Sequence, residues 1–216
     1  MTKPRIIAVY SGKGGIGKTT TASCLAWKFG NPAAPERTVL IDANARQRSA
    51  TVVYEQLQVD APYAVATEED PRKLAYARDL DADWVIIDCP PSDLEAAAAL
   101  DVADLIVVPY VARWLEDEAA ALTLQALATR PHAVLFTMVG HNKGRVNAQA
   151  RDALQDADVR VLKAHVRRYD AHETAQAVGL PVFLPEAQAA IDNADRGAAD
   201  YTAVHTELLA LPELSR

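Results

Sequence analysis

Tyr10-Ser11-Gly12-Lys13-Gly14-Gly15-Ile16-Gly17-Lys18-Thr19-Thr20 is the stretch on which the reading of the chain turns. An apolar run, Ile6 to Tyr10, leads into it and reads as a buried strand. Thr21 to Phe29 follows and reads as a helix closed by Gly30. Gly12, Gly17, Lys18 and Thr19 stand at the G-x-x-x-x-G-K-[ST] spacing of a phosphate-binding loop. The residue types suit that chemistry. Glycines let backbone N–H groups turn inward around phosphate oxygens, and the helix N-terminus adds partial positive charge. On this reading Gly12, Gly14, Gly15, Ile16, Gly17, Lys18, Thr19 and Thr20 cradle a nucleotide. Lys18 reaches the β and γ phosphates, and the Thr19 hydroxyl serves Mg²⁺.

Composition narrows the classes around that loop. At 216 residues the chain suits one domain, taken as 1–216, large enough to bury a real core. Apolar residues make up 50% and charged residues 24%, as in a globular protein. No apolar run approaches the roughly 18 residues of a membrane span. Met1 to Arg5 runs directly into the first strand and leaves no room for a signal peptide, so a cytoplasmic protein is expected. Cys24 and Cys89 lack C-x-x-C spacing, which argues against zinc and iron–sulfur sites. The net charge of −7 opposes wholesale nucleic-acid binding, yet Lys143 to Arg168 carries seven basic residues against three acidic ones. That segment is +4 and the remainder −11. It is either a local phosphate-backbone surface or a solvated helix face.

Strands alternate with helices along the chain, which predicts an α/β fold: a mostly parallel twisted sheet with helices on both faces. Strands are expected at Thr38 to Ile41, Trp84 to Ile87, Leu105 to Val108 (stopped by Pro109), Ala133 to Val139 and Val159 to Leu162. Helices are expected at Ser49 to Gln58, from Asp70-Pro71 to Arg78, and from the capping box Ser92-Asp93-Leu94-Glu95 to Val102. Further helices are read at Leu115 to Thr129, Val146 to Asp156, Ala171 to Val178 and Arg196 to Leu211, with a Pro-containing loop at Asn31 to Arg37. The strands deliver Asp42 and Asp88 to their C-terminal ends, the ligand edge of a parallel sheet. Trp84-Val85-Ile86-Ile87-Asp88 has the form of a strand that ends on a metal-holding carboxylate. Asn142-Lys143-Gly144-Arg145 stands where a guanine-specific N-K-x-D would, but Arg145 has only donors and cannot bind the guanine edge.

Spacing alone leaves Lys13 open between a solvated lysine and a ligand-facing one. With it, the loop reads K-G-G-x-G-K-T-T and resembles the deviant Walker A ATPases of the ParA/MinD family. Asp88-Cys89-Pro90-Pro91 resembles that family's D-x-P-P switch, which makes Cys89 a packing residue. The resemblance implies a P-loop NTPase fold, ATP and Mg²⁺ as ligands, and metal contacts from Thr19, Asp42 and Asp88. It also implies a homodimer formed on ATP binding, with Lys13 reaching the partner's nucleotide. That dimer would bind DNA non-specifically, associate with the nucleoid and respond to a ParB-like, centromere-binding partner. Arg167 and Arg168 align loosely with the family's DNA-contacting arginines, though alone they are equally surface charge. The short form resembled here lacks an N-terminal helix-turn-helix.

The match fails in one place. The family's D-x-D-P-Q is here Asp42-Ala43-Asn44-Ala45-Arg46-Gln47, so Asn44 replaces the carboxylate that positions the attacking water. An amide holds water but accepts no proton. With Lys13, Lys18, Asp42 and Asn44 as the catalytic set, slow hydrolysis is expected. The alternatives are a MinD-like positioning ATPase, a metallocluster reductase and an ATP-locked scaffold. The first needs a basic amphipathic tail, whereas Tyr201 to Arg216 has Arg216 as its one basic residue, so no membrane partner is expected. The second needs cysteines that Cys24 and Cys89 do not supply.

Overall fold

The computed structural model describes residues 3–30, 37–44, 47–112 and 118–215. Most of the Pro-containing loop (31–36), Arg46, the start of the helix expected from Leu115 (115–117) and Arg216 lie outside the described residues.

Seven strands form one sheet: β1 (Arg5–Val9), β2 (Thr38–Asp42), β3 (Ala64–Thr67), β4 (Trp84–Asp88), β5 (Leu105–Tyr110), β6 (His132–Val139) and β7 (Val161–Arg167). Their order is β3-β2-β4-β1-β5-β6-β7, and every pairing is parallel. The helices are α1 (Lys18–Phe29), α2 (Ser49–Glu55), α3 (Asp93–Val102) and α4 (Glu118–Leu127), then α5 (Gly144–Asp156), α6 (Ala171–Val178), α7 (Pro185–Ala190) and α8 (Ala194–Leu209).

The central strands are apolar on both faces because both faces are covered, as a parallel sheet requires. Ile7 and Val9 of β1 and Trp84 and Ile86 of β4 enter a core with Leu25 and Phe29 of α1 and Tyr201, Val204 and Leu208 of α8. Their neighbours Ile6, Ala8, Val85 and Ile87 face the opposite core, where Ala96, Ala99 and Leu100 of α3 and Leu127 of α4 pack. A satellite cluster under α6, α7 and the start of α8 includes Ala171, Ala175, Ala187 and Ala198.

Several elements depart from expectation. β5 runs through Pro109 to Tyr110 instead of stopping at Val108. The Ile106 N–H donates toward β6, so the Pro109 nitrogen falls on the β1 side, beyond the last β1–β5 partners Val9 and Val107, where no ladder donor is needed. β7 starts later and runs farther than expected, to Arg167; it is an edge strand with Lys163 and His165 exposed, so its sequence lacks the apolar run of a buried strand. The opposite edge, β3, has four half-covered or exposed residues and no pattern to reveal it. The helix expected from Asp70-Pro71 to Arg78 is present as a 3₁₀-helix, Pro71–Asp79, with the Asp70 side chain accepting the Arg72 N–H at its start. Finally, the Ser92 side chain makes no capping hydrogen bond at the start of α3 among the described residues.

Candidate functional site

The loop from Tyr10 to Gly17 joins the central strand β1 to α1 at the C-terminal edge of the sheet. Gly15 (φ 69°) and Gly17 (φ 91°) hold left-handed conformations that bend the backbone around a concave face. A Cβ on Gly14, Gly15 or Gly17 would meet nothing within 4 Å, so the inner side of the loop is open space. No side chain among the described residues caps the start of α1, and its first turn has no acidic residue. Those amides are therefore left open to an anion.

Lys18 is half-buried, and its Nζ donates to the Lys13 carbonyl at 2.8 Å. Burial lowers its pKa, opposed by the negative charge of Asp88 and, less, by Cys89. Thr19 Oγ1 donates to Asp88 Oδ2 at 2.7 Å. The other Asp88 oxygen, Oδ1, is buried with no partner among the described residues. Burial raises the Asp88 carboxyl to about 7, helped by nearby Asp42 and opposed by the Thr19 hydrogen bond and Lys18. An orphaned carboxylate oxygen beside a threonine hydroxyl fits a hard cation. Among the described residues no three His, Cys, Asp or Glu side chains gather to hold a metal, so a cation here would draw its remaining ligands from phosphate and water.

Asp42 lies opposite Asp88 in the β2–β4 register, but its carboxylate is already engaged. Oδ2 accepts from the Thr51 N–H (2.9 Å) and Thr51 Oγ1 (3.1 Å), and Oδ1 accepts from the Asn44 N–H (3.1 Å). It thus fastens the turn from β2 into α2. Asn44 is buried in that turn. Its carbonyl accepts the N–H groups of Gln47 and Arg48, and its side-chain Nδ2 donates to Gln47 Oε1 at 3.2 Å. Cys89 is buried with its thiol raised by burial and by Asp88, and its Sγ faces the Ile87 carbonyl at 3.8 Å. It packs, as expected.

A cavity of about 320 Å³ opens beside Gly15, Gly17 and Thr20, walled by the ends of β6 and β7 and by α6. Met138 lines it at φ 51° and 38% exposure, a strained non-glycine backbone in a strand end. The Tyr169 hydroxyl in the same wall is buried without a partner among the described residues. Sequence reasoning missed both, because neither residue type carries a motif. Arg167 and Arg168 also line this cavity. The Arg167 guanidinium is committed to Asp200, with Nη2 2.6 Å and Nε 3.1 Å from Oδ1, whereas Arg168 is exposed. Asn142 to Arg145 is exposed and not among the residues of this wall; it is the turn before α5 and the helix's first two residues.

An open parallel sheet with a glycine loop at its first strand and an aspartate at the end of the adjacent one defines a phosphate-loop nucleotide-binding protein. No family model matches the chain. It is 34% identical over 212 residues to the maintenance of carboxysome distribution protein A of Gloeobacter kilaueensis, covering 95% of this chain and 94% of that one. It is 26% identical over 233 residues to the chromosome partitioning protein ParA of Caulobacter vibrioides, covering 83% and 86%. The septum site-determining protein MinD of Pyrococcus horikoshii, solved with Mg-ADP, superposes with a TM-score of 0.69 at 17% identity, over 99% of this chain and 100% of that one. The chain belongs to the ParA/MinD family of P-loop ATPases.

Proposed function

We propose that the chain is an ATP-driven positioning switch. Two copies close face to face around bound nucleotide, the closed pair holds DNA through phosphate contacts, and slow hydrolysis releases it. One observation carries the reading: the glycine-lined loop and the uncapped start of α1 are joined through Thr19 to a buried carboxylate with an open oxygen. Loop amides and Lys18 hold the phosphates, and Thr19 and Asp88 hold Mg²⁺, which when bound offsets charge on the β- and γ-oxygens. MinD of Pyrococcus horikoshii was solved with that class of ligand. Asp42 supports this site by fixing the β2–α2 turn, and Asn44 stands where relatives place a second carboxylate. Lys13 at the loop's shoulder is the candidate to reach the partner's nucleotide.

The DNA surface narrows to exposed cations. Arg151 donates to the Leu162 carbonyl, Arg160 pairs with Glu213 and Arg167 with Asp200, which leaves Arg168, Lys143 and Lys163 turned to solvent. Arg168→Glu is therefore the informative variant, because Arg167→Glu would also place a second carboxylate against Asp200. Gel shift with MgATP is expected to show non-specific binding that weakens steeply with salt and is reduced by Arg168→Glu. Light scattering with and without MgATP is expected to show a doubling of mass. An unchanging mass, or no uptake of adenine nucleotide by calorimetry, defeats the proposal.

A membrane-docking MinD-like role is disfavoured by the tail. Leu208 and Leu214 are buried in the core, and Glu207 and Glu213 are engaged with β7 and Arg160. No helix among the described residues is long and apolar enough to cross a membrane. The greater identity to the carboxysome-distribution protein than to ParA favours a large protein body as cargo over a DNA molecule. Fluorescent tagging of the chain beside such a body in its native cell, with and without Lys18→Ala, separates these cargoes.

A further inference from the structure

Two threonines far from the loop in sequence make contacts that the phosphate site itself does not require. Thr137, on β6, donates its hydroxyl to the Ile16 carbonyl at 2.9 Å, 121 residues away in the chain. Thr123, on α4, accepts the Gly12 N–H at 3.2 Å, 111 residues away. Both threonines are buried at 3% exposure. They hold opposite ends of the same glycine-rich turn.

The consequence follows from peptide geometry. In a trans peptide the carbonyl and the N–H of the next residue point in opposite directions. Drawing the Ile16 carbonyl toward Thr137 therefore turns the Gly17 N–H the other way, away from Thr137. Glycine at 15 and 17 gives the loop its bend but leaves it many alternative conformations. Something outside the loop must select one. At the other end, a Cβ on Gly12 would lie 3.2 Å from Thr123 Oγ1, so that residue sits hard against α4 and its N–H is kept out of the cradle. A further loop contact, Lys18 Nζ on the Lys13 carbonyl, is made by a residue of the site itself and would be given up on reaching a phosphate.

We infer that Thr137 and Thr123 are positioning residues that pre-set the phosphate loop, Thr137 by aiming the Gly17 amide and Thr123 by pinning the Gly12 end. Thr137 also lines the cavity beside Gly15 and Gly17, but the bonds that single out both threonines go to the loop backbone, and they act through the backbone they hold. The inference rests on the loop being a nucleotide-phosphate site. Thr137→Val keeps the side-chain shape and removes the hydroxyl. It is expected to weaken MgATP binding about tenfold, the scale of one hydrogen bond to a charged group. Thr137→Ser, which keeps the hydroxyl, is expected to restore affinity to within about twofold on the same scale.

The test is calorimetric titration of wild type, Thr137→Val, Thr137→Ser, Thr123→Val and Thr123→Ser with a non-hydrolysable MgATP analogue, beside thermal melts without nucleotide. Support requires weaker binding in each valine variant that melts cooperatively, and recovery in its serine counterpart. If Thr137→Val does not fold, the Thr123 pair decides. Equal affinity of the valine variants and wild type overturns the inference, as does a serine variant that binds as weakly as its valine counterpart. If wild type takes up no nucleotide, the phosphate-site reading itself fails, which is a separate result.

Discussion

Gly17 shows how one backbone angle governs the site. At φ 91° an L-residue is strained by roughly 1–2 kcal/mol, and the space where its Cβ would stand is empty. Gly17→Ala is thus expected to lower stability modestly while abolishing nucleotide binding, since the methyl group fills the cradle; a melt and a calorimetric titration read the two effects apart. Lys18→Ala removes the charge proposed to meet the phosphates and is expected to weaken MgATP about 10- to 100-fold with little change in melting temperature. On the proposed function, Asn44 bears on rate instead of affinity. Its amide nitrogen is held by Gln47, so Asn44→Asp exchanges that bond for a carboxylate able to orient water. Single-turnover hydrolysis is expected to rise about tenfold, equivalent to about 1.4 kcal/mol of barrier. No rise would remove Asn44 from the catalytic set.

At the scale of elements, β7 and α8 solve an edge problem together. Unpaired N–H groups on an edge strand invite pairing with another chain. Here Glu207 accepts the N–H groups of Lys163 and Ala164, both at 2.8 Å, and Asp200 accepts that of Arg167 at 2.9 Å. Seven residues of helix and three or four of strand both span about 10–13 Å, so two carboxylates on one helix face match the strand's spacing. Glu207→Ala is expected to cost about 1–3 kcal/mol in urea melts and to promote slow aggregation visible by light scattering. Glu213→Ala, which breaks a partly exposed pair with Arg160, is expected to cost at most about 1 kcal/mol. This edge also shows what the sequence conceals. β1, the phosphate loop, α1 and the Asp88 strand were legible because their signals lie within a few residues of one another. The engagement of Asp42 with α2, of Arg167 with Asp200 and of the loop with Thr123 and Thr137 depends on chain segments brought together by folding, which local periodicity cannot encode. β7 itself was misplaced because an edge strand with Lys163 and His165 exposed lacks the continuous apolar run by which buried strands are recognised.

At the scale of the whole molecule, the phosphate-binding groups sit at the sheet's C-terminal edge, and α6 leans on α8 beside them. His172 of α6 forms that joint: its Nε2 is buried without a partner among the described residues, a Cβ on Gly197 of α8 would lie 3.0 Å from it, and its ring meets Tyr201 edge-on. Burial lowers its pKa below the ordinary 6.5, although Asp200 pulls in the opposite direction. The sign of the linkage follows. A histidine depressed in the folded state binds fewer protons there than when unfolded, so its contribution to stability is complete above pH 6.5 and is lost as pH falls from there toward the folded value. Melting temperature is therefore expected to decline as the pH is lowered from 6.5, with α6 loosening from α8 as the imidazole takes up its proton. His172→Gln, which cannot titrate, is expected to flatten that part of the profile even if it melts lower throughout. A variant profile as steep as that of wild type would show that the acid sensitivity arises elsewhere, and that the α6–α8 joint is indifferent to the charge of His172.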